Sequence, residues 1–310
     1  FGVNTTIKNT SGSGYACNLV TVGTDVNVTI QRNTSIISNT GRFEAFFLLD
    51  VQNGTCLLLV QSETVIDSTP FTFKTKTNYA PTTVIFENDV RFTNSVRPGT
   101  FELGNAAGSF TFGRLDVRDS YESIRYDVGL FHLRAANQAQ MNVTMTQATI
   151  VNNTQPKASL FDIYSSGGGQ LNIQLTRLLL ANNTGRNLFD MNVQGGTLVF
   201  GITNSQLIYN NASELSFFDG VLEFDAYVDL SLKNSDITNN IVVGHTTATP
   251  FMRLLNTFSN CTVSLVNTTW EYNTVTIGGL VSLKNAYYRH AEQRSMVTSI
   301  DSYFHHNNVQ

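Results

Sequence analysis

The stretch "LFDIYSSGGGQLNIQLTRLLLANNTGRN" (Leu160–Asn187) runs directly into "LFDMNVQGGTLVFGITNSQLIYNNASELS" (Leu188–Ser216). Both open on Leu-Phe-Asp, pause at glycines, rise into an aliphatic burst and reach paired asparagines before the next unit begins. Self-similarity at a short fixed period marks a repeat architecture, in which each unit buries its apolar face only against its neighbours. With the phenylalanine as anchor the pattern extends both ways. Phe73, Phe101, Phe131, Phe161, Phe189, Phe218, Met252 and Val281 follow one another mostly 28 to 30 residues apart. Val20 and Leu48 fit more loosely before them, so about ten units span nearly the whole chain.

Within a unit the bursts "LFDI", "QLNIQL" and "RLLLANN" are short and rich in strand formers. In the second, Leu171, Ile173 and Leu175 alternate with Asn172 and Gln174, the period of a half-buried strand. Gly167 to Gly169 and Gly195 to Gly196 break the first burst from the second. Three short strands per unit of roughly 29 residues predict an all-β fold, a parallel β-helix solenoid of about ten coils, with equivalent positions ~4.8 Å apart on neighbouring coils. The period is too short for a propeller blade, and the regular leucine–asparagine spacing of leucine-rich repeats is absent. Residues 15–310 read as one domain, 1–14 as an N-terminal extension or contact segment, and "NNIVVGHTTATP" as a loop insertion near 240–250.

The asparagines have a role in such a solenoid. Where a coil turns a corner, backbone N–H and C=O groups lose their ladder partners and need others. Asparagine can bond the backbone and its own stacked copies, and it tolerates left-handed dihedrals. Asn152, Asn182, Asn210, Asn239 and Asn273 each stand twenty-one residues after an anchor, as Asn94 does; Asn39 and Asn307 close the looser coils. These eight are the expected ladder. Two residues earlier Phe92, Ile150, Leu180, Ile208 and Ile237 are expected to face inward, a rule that Glu271 and His305 break.

The three-strand coil, the corner asparagines and the starts "GGQL", "GGTL" and "GGLV" resemble right-handed parallel β-helix proteins of the pectin-lyase-like class. Within that class the chain is most similar to repeat-bearing surface proteins, namely chlamydial polymorphic outer-membrane proteins and related β-helix proteins of protists. Their repeats carry "GGA" plus an aliphatic residue and "FxxN"; here the alanine is missing, and "FHHN" (Phe304–Asn307) is the one true "FxxN". The resemblance implies surface display, adhesion or structure rather than catalysis. Polygalacturonase-like enzymes carry "NTD", "DD", "GHG" and "RIK", none of which occurs here.

Composition narrows the function classes. Charged residues are 14%, net charge is −4, and asparagine is about one residue in nine. No basic stripe suits a nucleic acid, and no apolar run approaches the ~18 residues of a membrane span. Cys17, Cys56 and Cys261 are too few and scattered for a disulfide framework or zinc site. "FGVNTTIKNT" carries neither a start methionine nor a signal core, so the chain reads as processed or as part of something longer.

Four groups of residues could carry chemistry. Asn4, Asn9, Asn27, Asn33, Asn53, Asn142, Asn211, Asn260 and Asn267 open glycosylation triplets. Asn152 and Asn182 do so too, but as inward ladder residues they are expected to carry no glycan, whereas Asn211 is expected to point outward. The residue after each anchor reads Lys74, Glu102, His132, Asp162, Asp190, Asp219, Arg253, Ser282, an outward column. Its three stacked carboxylates raise one another's pKa and could bind Ca²⁺ or serve a glycosidase with Arg253 beside them. No metal site is expected from His305, His306 and the upstream His290, which lack a carboxylate or thiol at ligand spacing. Trp270, Tyr272, Tyr287 and Tyr288 could stack on sugar rings. Together these features lead to the expectation of a non-enzymatic extracellular or cell-surface glycoprotein, without cofactor. It would be a subunit of a fibre or appendage that stacks head to tail on itself or on further sequence of the same chain. The alternatives are a carbohydrate-active enzyme using Asp162, Asp190, Asp219 and Arg253, or an adhesin.

Overall fold

The computed structural model describes residues 6–8, 13–22, 25–37, 42–52, 55–68, 72–76, 81–94, 100–104, 108–121, 129–155, 157–244, 249–257, 259–285 and 295–309. In 6–8, 13–22, 42–52, 72–76, 100–104 and at 285 the backbone alone is described. Every described strand pairing is parallel and joins consecutive coils, which makes the chain a β-solenoid. The central wall is built from the alternating bursts: Gln140–Thr146 pairs with Gln170–Thr176, then Thr197–Thr203, Tyr227–Thr238 and Asn260–Glu271. A second wall holds the anchor strands Phe131–Ala136, Phe161–Ser166, Phe189–Gln194, Phe218–Glu223, Met252–Thr257 and Val281–Asn285.

Seven coils have one segment more than the three expected. After the short strand, such as Leu179–Ala181, the chain turns and lays down a two-residue strand, such as Thr184–Gly185. Turns anchored at Phe101, Phe131, Phe161, Phe189, Phe218, Met252 and Val281 carry all four segments, the first through a single bridge from Tyr121 to Thr154. That gives about seven full turns where ten units were read. The three units before them show three strands each among the described residues: Ser13–Val22 to Ser35–Ile37, Arg42–Gln52 to Val65–Asp67, and Thr72–Lys76 to Val90–Thr93. Thr6–Lys8, inside the segment set apart as an extension, pairs with Ser35–Ile37 and so belongs to the same wall. Residues 245–248 of the expected insertion lie outside those described; its flanks are tied to the next coil by Gly244 N to Thr276 Oγ1 and Thr249 N to Ile277 O.

Inside, the alternation does what the pattern demands. Leu171, Ile173 and Leu175 are buried, and each meets its counterpart on the coils either side. The anchor phenylalanines form a stack, Phe131–Phe161–Phe189–Phe218, with ring centroids 4.9, 5.0 and 4.8 Å apart. That is the coil spacing itself, so offset-stacked rings fit the solenoid without adjustment. Cys56 and Cys261 are buried, unpaired thiols pushed up to about 11 and about 12 by burial, with Asp229 adding to the effect at Cys261. The Cys17 side chain lies outside the described residues.

Candidate functional site

The corner that follows the short strand divides its work between two residues. The first takes a left-handed conformation: Asn94 (φ 50°), Asn152 (58°), Asn182 (53°), Tyr209 (56°), Asn239 (57°), Tyr272 (54°) and His306 (48°). A left-handed residue breaks the in–out alternation, so its successor points into the solenoid. That successor is the buried ladder. Asn153, Asn183, Asn210, Asn240 and Asn273 each donate from Nδ2 to Oδ1 of the asparagine on the next coil, at 2.9–3.0 Å, with Asn307 receiving the last bond. Each Oδ1 from Asn183 upward also accepts the backbone N–H of the asparagine on the preceding coil, and each Nδ2 reaches a backbone carbonyl as well; Asn210 uses Leu180 O at 2.8 Å. Below Asn153 the column ends on Ser120, whose N–H donates to Asn153 Oδ1.

Of the expected ladder, Asn210, Asn273 and Asn307 stand in it. Asn94, Asn152, Asn182 and Asn239 stand one residue early, in the left-handed slot, and Asn39 lies outside the described residues. The reason is the length of the earlier corner. Where it has three residues, as at Gly167–Gly169, the ladder falls twenty-two residues after the anchor; where it has two, as at Gly195–Gly196, it falls twenty-one. The inward apolar residue is therefore three residues before the ladder: Ile150, Leu180, Leu207, Ile237, Trp270 and Phe304, in unbroken register. Ile208 is half-buried and Leu207 takes its place. Glu271 and His305 no longer break any rule.

This shift changes the glycosylation map. Asn152 and Asn182 are exposed, with Asn27, Asn33, Asn142, Asn260 and Asn267. Asn211, expected to point outward, is half-buried, and its Oδ1 is buried without a hydrogen bond. Asn4, Asn9 and Asn53 lie outside the described residues.

The column after the anchors is in register, His132–Asp162–Asp190–Asp219–Arg253–Ser282; Lys74 and Glu102 pair lower down, with only their backbone described. Each flanking acid has a side-chain partner. His132 Nδ1 lies 2.7 Å from Asp162 Oδ2, and Arg253 makes a two-pronged bond to Asp219 at 2.6 and 2.7 Å. Asp219 is buried rather than facing solvent, at 3% exposure. Asp190 sits between the two acids; burial first, then the charges of Asp162 and Asp219, push its carboxyl up to about 6, against the Asn187 amide and Arg186. Arg253 in turn is held above its usual value by its bond to Asp219. Chemically this is a protonatable acid between two pinned carboxylates. A calcium ion here would have to draw on oxygens that His132 and Arg253 already occupy. The column also lies apart from a trough of about 460 Å³ on the central wall, lined by Gly201, Ser231 and Ser264 among others.

The other cluster was not legible from spacing. Parallel pairing sets Glu271 beside His305 on the next coil, and the left-handed turn at 306 brings His306 to the same face. His305 Nδ1 and His306 Nδ1 lie 2.6 Å apart, and each lies 3.7 and 3.5 Å respectively from Glu271 Oε1. The His306 ring stacks on Tyr272 at 5.1 Å. Trp270 is fully buried and cannot meet a sugar from outside, while Tyr272 is exposed; His290, Tyr287 and Tyr288 lie outside the described residues.

Among the described residues no helix is long and apolar enough to cross a membrane. Compared with known proteins, the chain matches no family model, no curated protein and no solved structure. The β-solenoid therefore rests on its own strand ladders, and the likeness to pectin-lyase-like or chlamydial proteins gains no support from these comparisons.

Proposed function

We propose that the protein is an extracellular structural or interaction glycoprotein, a subunit of a fibre or cell-surface appendage, whose solenoids stack end to end. One observation carries this reading. On the last described coil, Val297, Phe304 and Val309 are 43%, 43% and 45% exposed, although their register partners Val263, Trp270 and Val275 are completely buried. Their side chains point where core residues point, and among the described residues no strand pairs with the outer edge of that coil, a ready template for another strand. A coil from a second copy, or from further sequence of the same chain, would bury all three and continue every ladder. Head-to-tail contact of this kind need not close, and so builds a filament. Glycans at Asn27, Asn142 and Asn260 would shield the central wall from sideways packing while leaving the axial ends clear.

Sedimentation velocity over a concentration series tests this. Linear oligomers are expected to grow with concentration and to disappear in V297K/F304K; a monodisperse monomer at every concentration would count against the proposal. A second reading, a carbohydrate-active enzyme, is favoured by one feature, the raised Asp190 carboxyl. Release of reducing ends or unsaturated products from polysaccharides, abolished by D190N, would establish that reading instead.

A further inference from the structure

We propose that Glu271, His305 and His306 form a binding site for a divalent transition-metal ion of the zinc type, clipping the last described coil to the one before it. Two imidazoles and one carboxylate are the donor set such ions take from proteins, leaving further positions to water or to an incoming ligand. Magnesium and calcium prefer oxygen-only sites and are poor candidates.

The geometry is already close to that of a bound site. With bonds of ~2.0–2.1 Å, ligand atoms around one ion lie roughly 3.0–3.4 Å apart. The three edges here are 2.6, 3.5 and 3.7 Å, so shifts of a few tenths of an ångström seat an ion between them. The two Nδ1 atoms facing each other at 2.6 Å cannot both carry protons on that side, so at least one lone pair already points into the site.

Three features of the fold assemble the cluster. The parallel register puts Glu271 and His305 on adjacent coils at one level. The positive φ of His306 (48°) cancels the alternation that would otherwise send neighbouring side chains to opposite faces. Tyr272, in the same slot one coil below, stacks flat on the His306 ring with an interplanar angle of 10° and fixes its plane. The side chains of Glu271, His305 and His306 are 31%, 63% and 54% exposed, so an ion can enter from solvent without opening the core. The described thiols are unavailable as competitors, since Cys56 and Cys261 are buried at 2% exposure.

The test is calorimetric titration of chelator-treated protein with ZnCl₂, repeated with E271Q and with H305A/H306A, alongside Co²⁺ absorption in the visible. We expect one ion per chain, no binding of Mg²⁺, and a loss of affinity of at least ~10-fold in each variant. Their thermal unfolding in chelator should match the parent, because all three side chains are partly or largely exposed. Tetrahedral or five-coordinate Co²⁺ bands should appear with the parent and vanish with H305A/H306A. No heat on Zn²⁺ addition, or binding that survives both variants, would overturn the proposal.

Discussion

Asp190 shows how stacking rewrites the chemistry of a single residue. Its raised value has a sign that can be worked through. Unfolded, the carboxyl titrates near 3.8; folded, it holds its proton up to about 6 because burial desolvates it and Asp162 and Asp219 flank it. The folded state therefore binds a proton the unfolded chain has released between about pH 4 and 6. The stability this contributes is complete below pH 4 and is lost as pH rises through 6. Two pKa units correspond to on the order of 2–3 kcal/mol. D190N is expected to flatten the pH dependence across that window and to be more stable than the parent by about that amount above pH 7, read by chemical denaturation. Parallel pH profiles for the two proteins would mean that the flanking carboxylates do not couple to Asp190. The column itself was legible in sequence, because residues following identical anchors must align; the burial of Asp219 was not, since it depends on the way Arg253 folds over it.

At the scale of the element, the corner is where the sequence both informs and misleads. The doubled asparagines "NN" read correctly as a turn signal, yet two roles assigned to one residue belong to two. The first asparagine supplies the left-handed backbone, the second the buried amide ladder. Spacing from the anchor could not separate them, because an earlier corner changes length between three and two residues; counting from the inward apolar residue does. The carboxylate of the histidine cluster was hidden for a related reason, being thirty-four residues away in sequence and one coil away in space. Asn210 makes four side-chain hydrogen bonds with buried partners, so N210A strands Asn183 N–H and Leu180 C=O. We expect a loss of about 3–5 kcal/mol in denaturant unfolding, at ~1–3 kcal/mol per unsatisfied buried group. N172A in the exposed outer row, where Asn172 Nδ2 donates to Asn142 Oδ1, should cost under ~0.5 kcal/mol. Equal losses would contradict the ladder's burial. The glycine corner predicts a gain as well. Phe224 occupies a left-handed position (φ 56°) that Gly167 fills in another coil, and the residue is 67% exposed. F224G is therefore expected to stabilise by about 1 kcal/mol, measured in the same denaturation series.

At the scale of the whole molecule, the solenoid is a one-dimensional object whose interactions all run along its axis. All described strand pairings join neighbouring coils, and the asparagine, phenylalanine and carboxylate columns follow the same direction. Stability in such a chain is a sum over neighbouring coils, and the coil at an edge lacks half of its share. On the last described coil Val297, Phe304 and Val309 are exposed where their partners one coil earlier are buried, the observation on which the proposed function rests. Cryo-electron microscopy of the concentrated protein tests the account most directly. It predicts filaments one solenoid wide, with coils ~4.8 Å apart continuing across each subunit boundary and Val297 and Phe304 buried at the junction. Isolated particles at all concentrations, or filaments joined through the central wall with the coil edges left open, would contradict it.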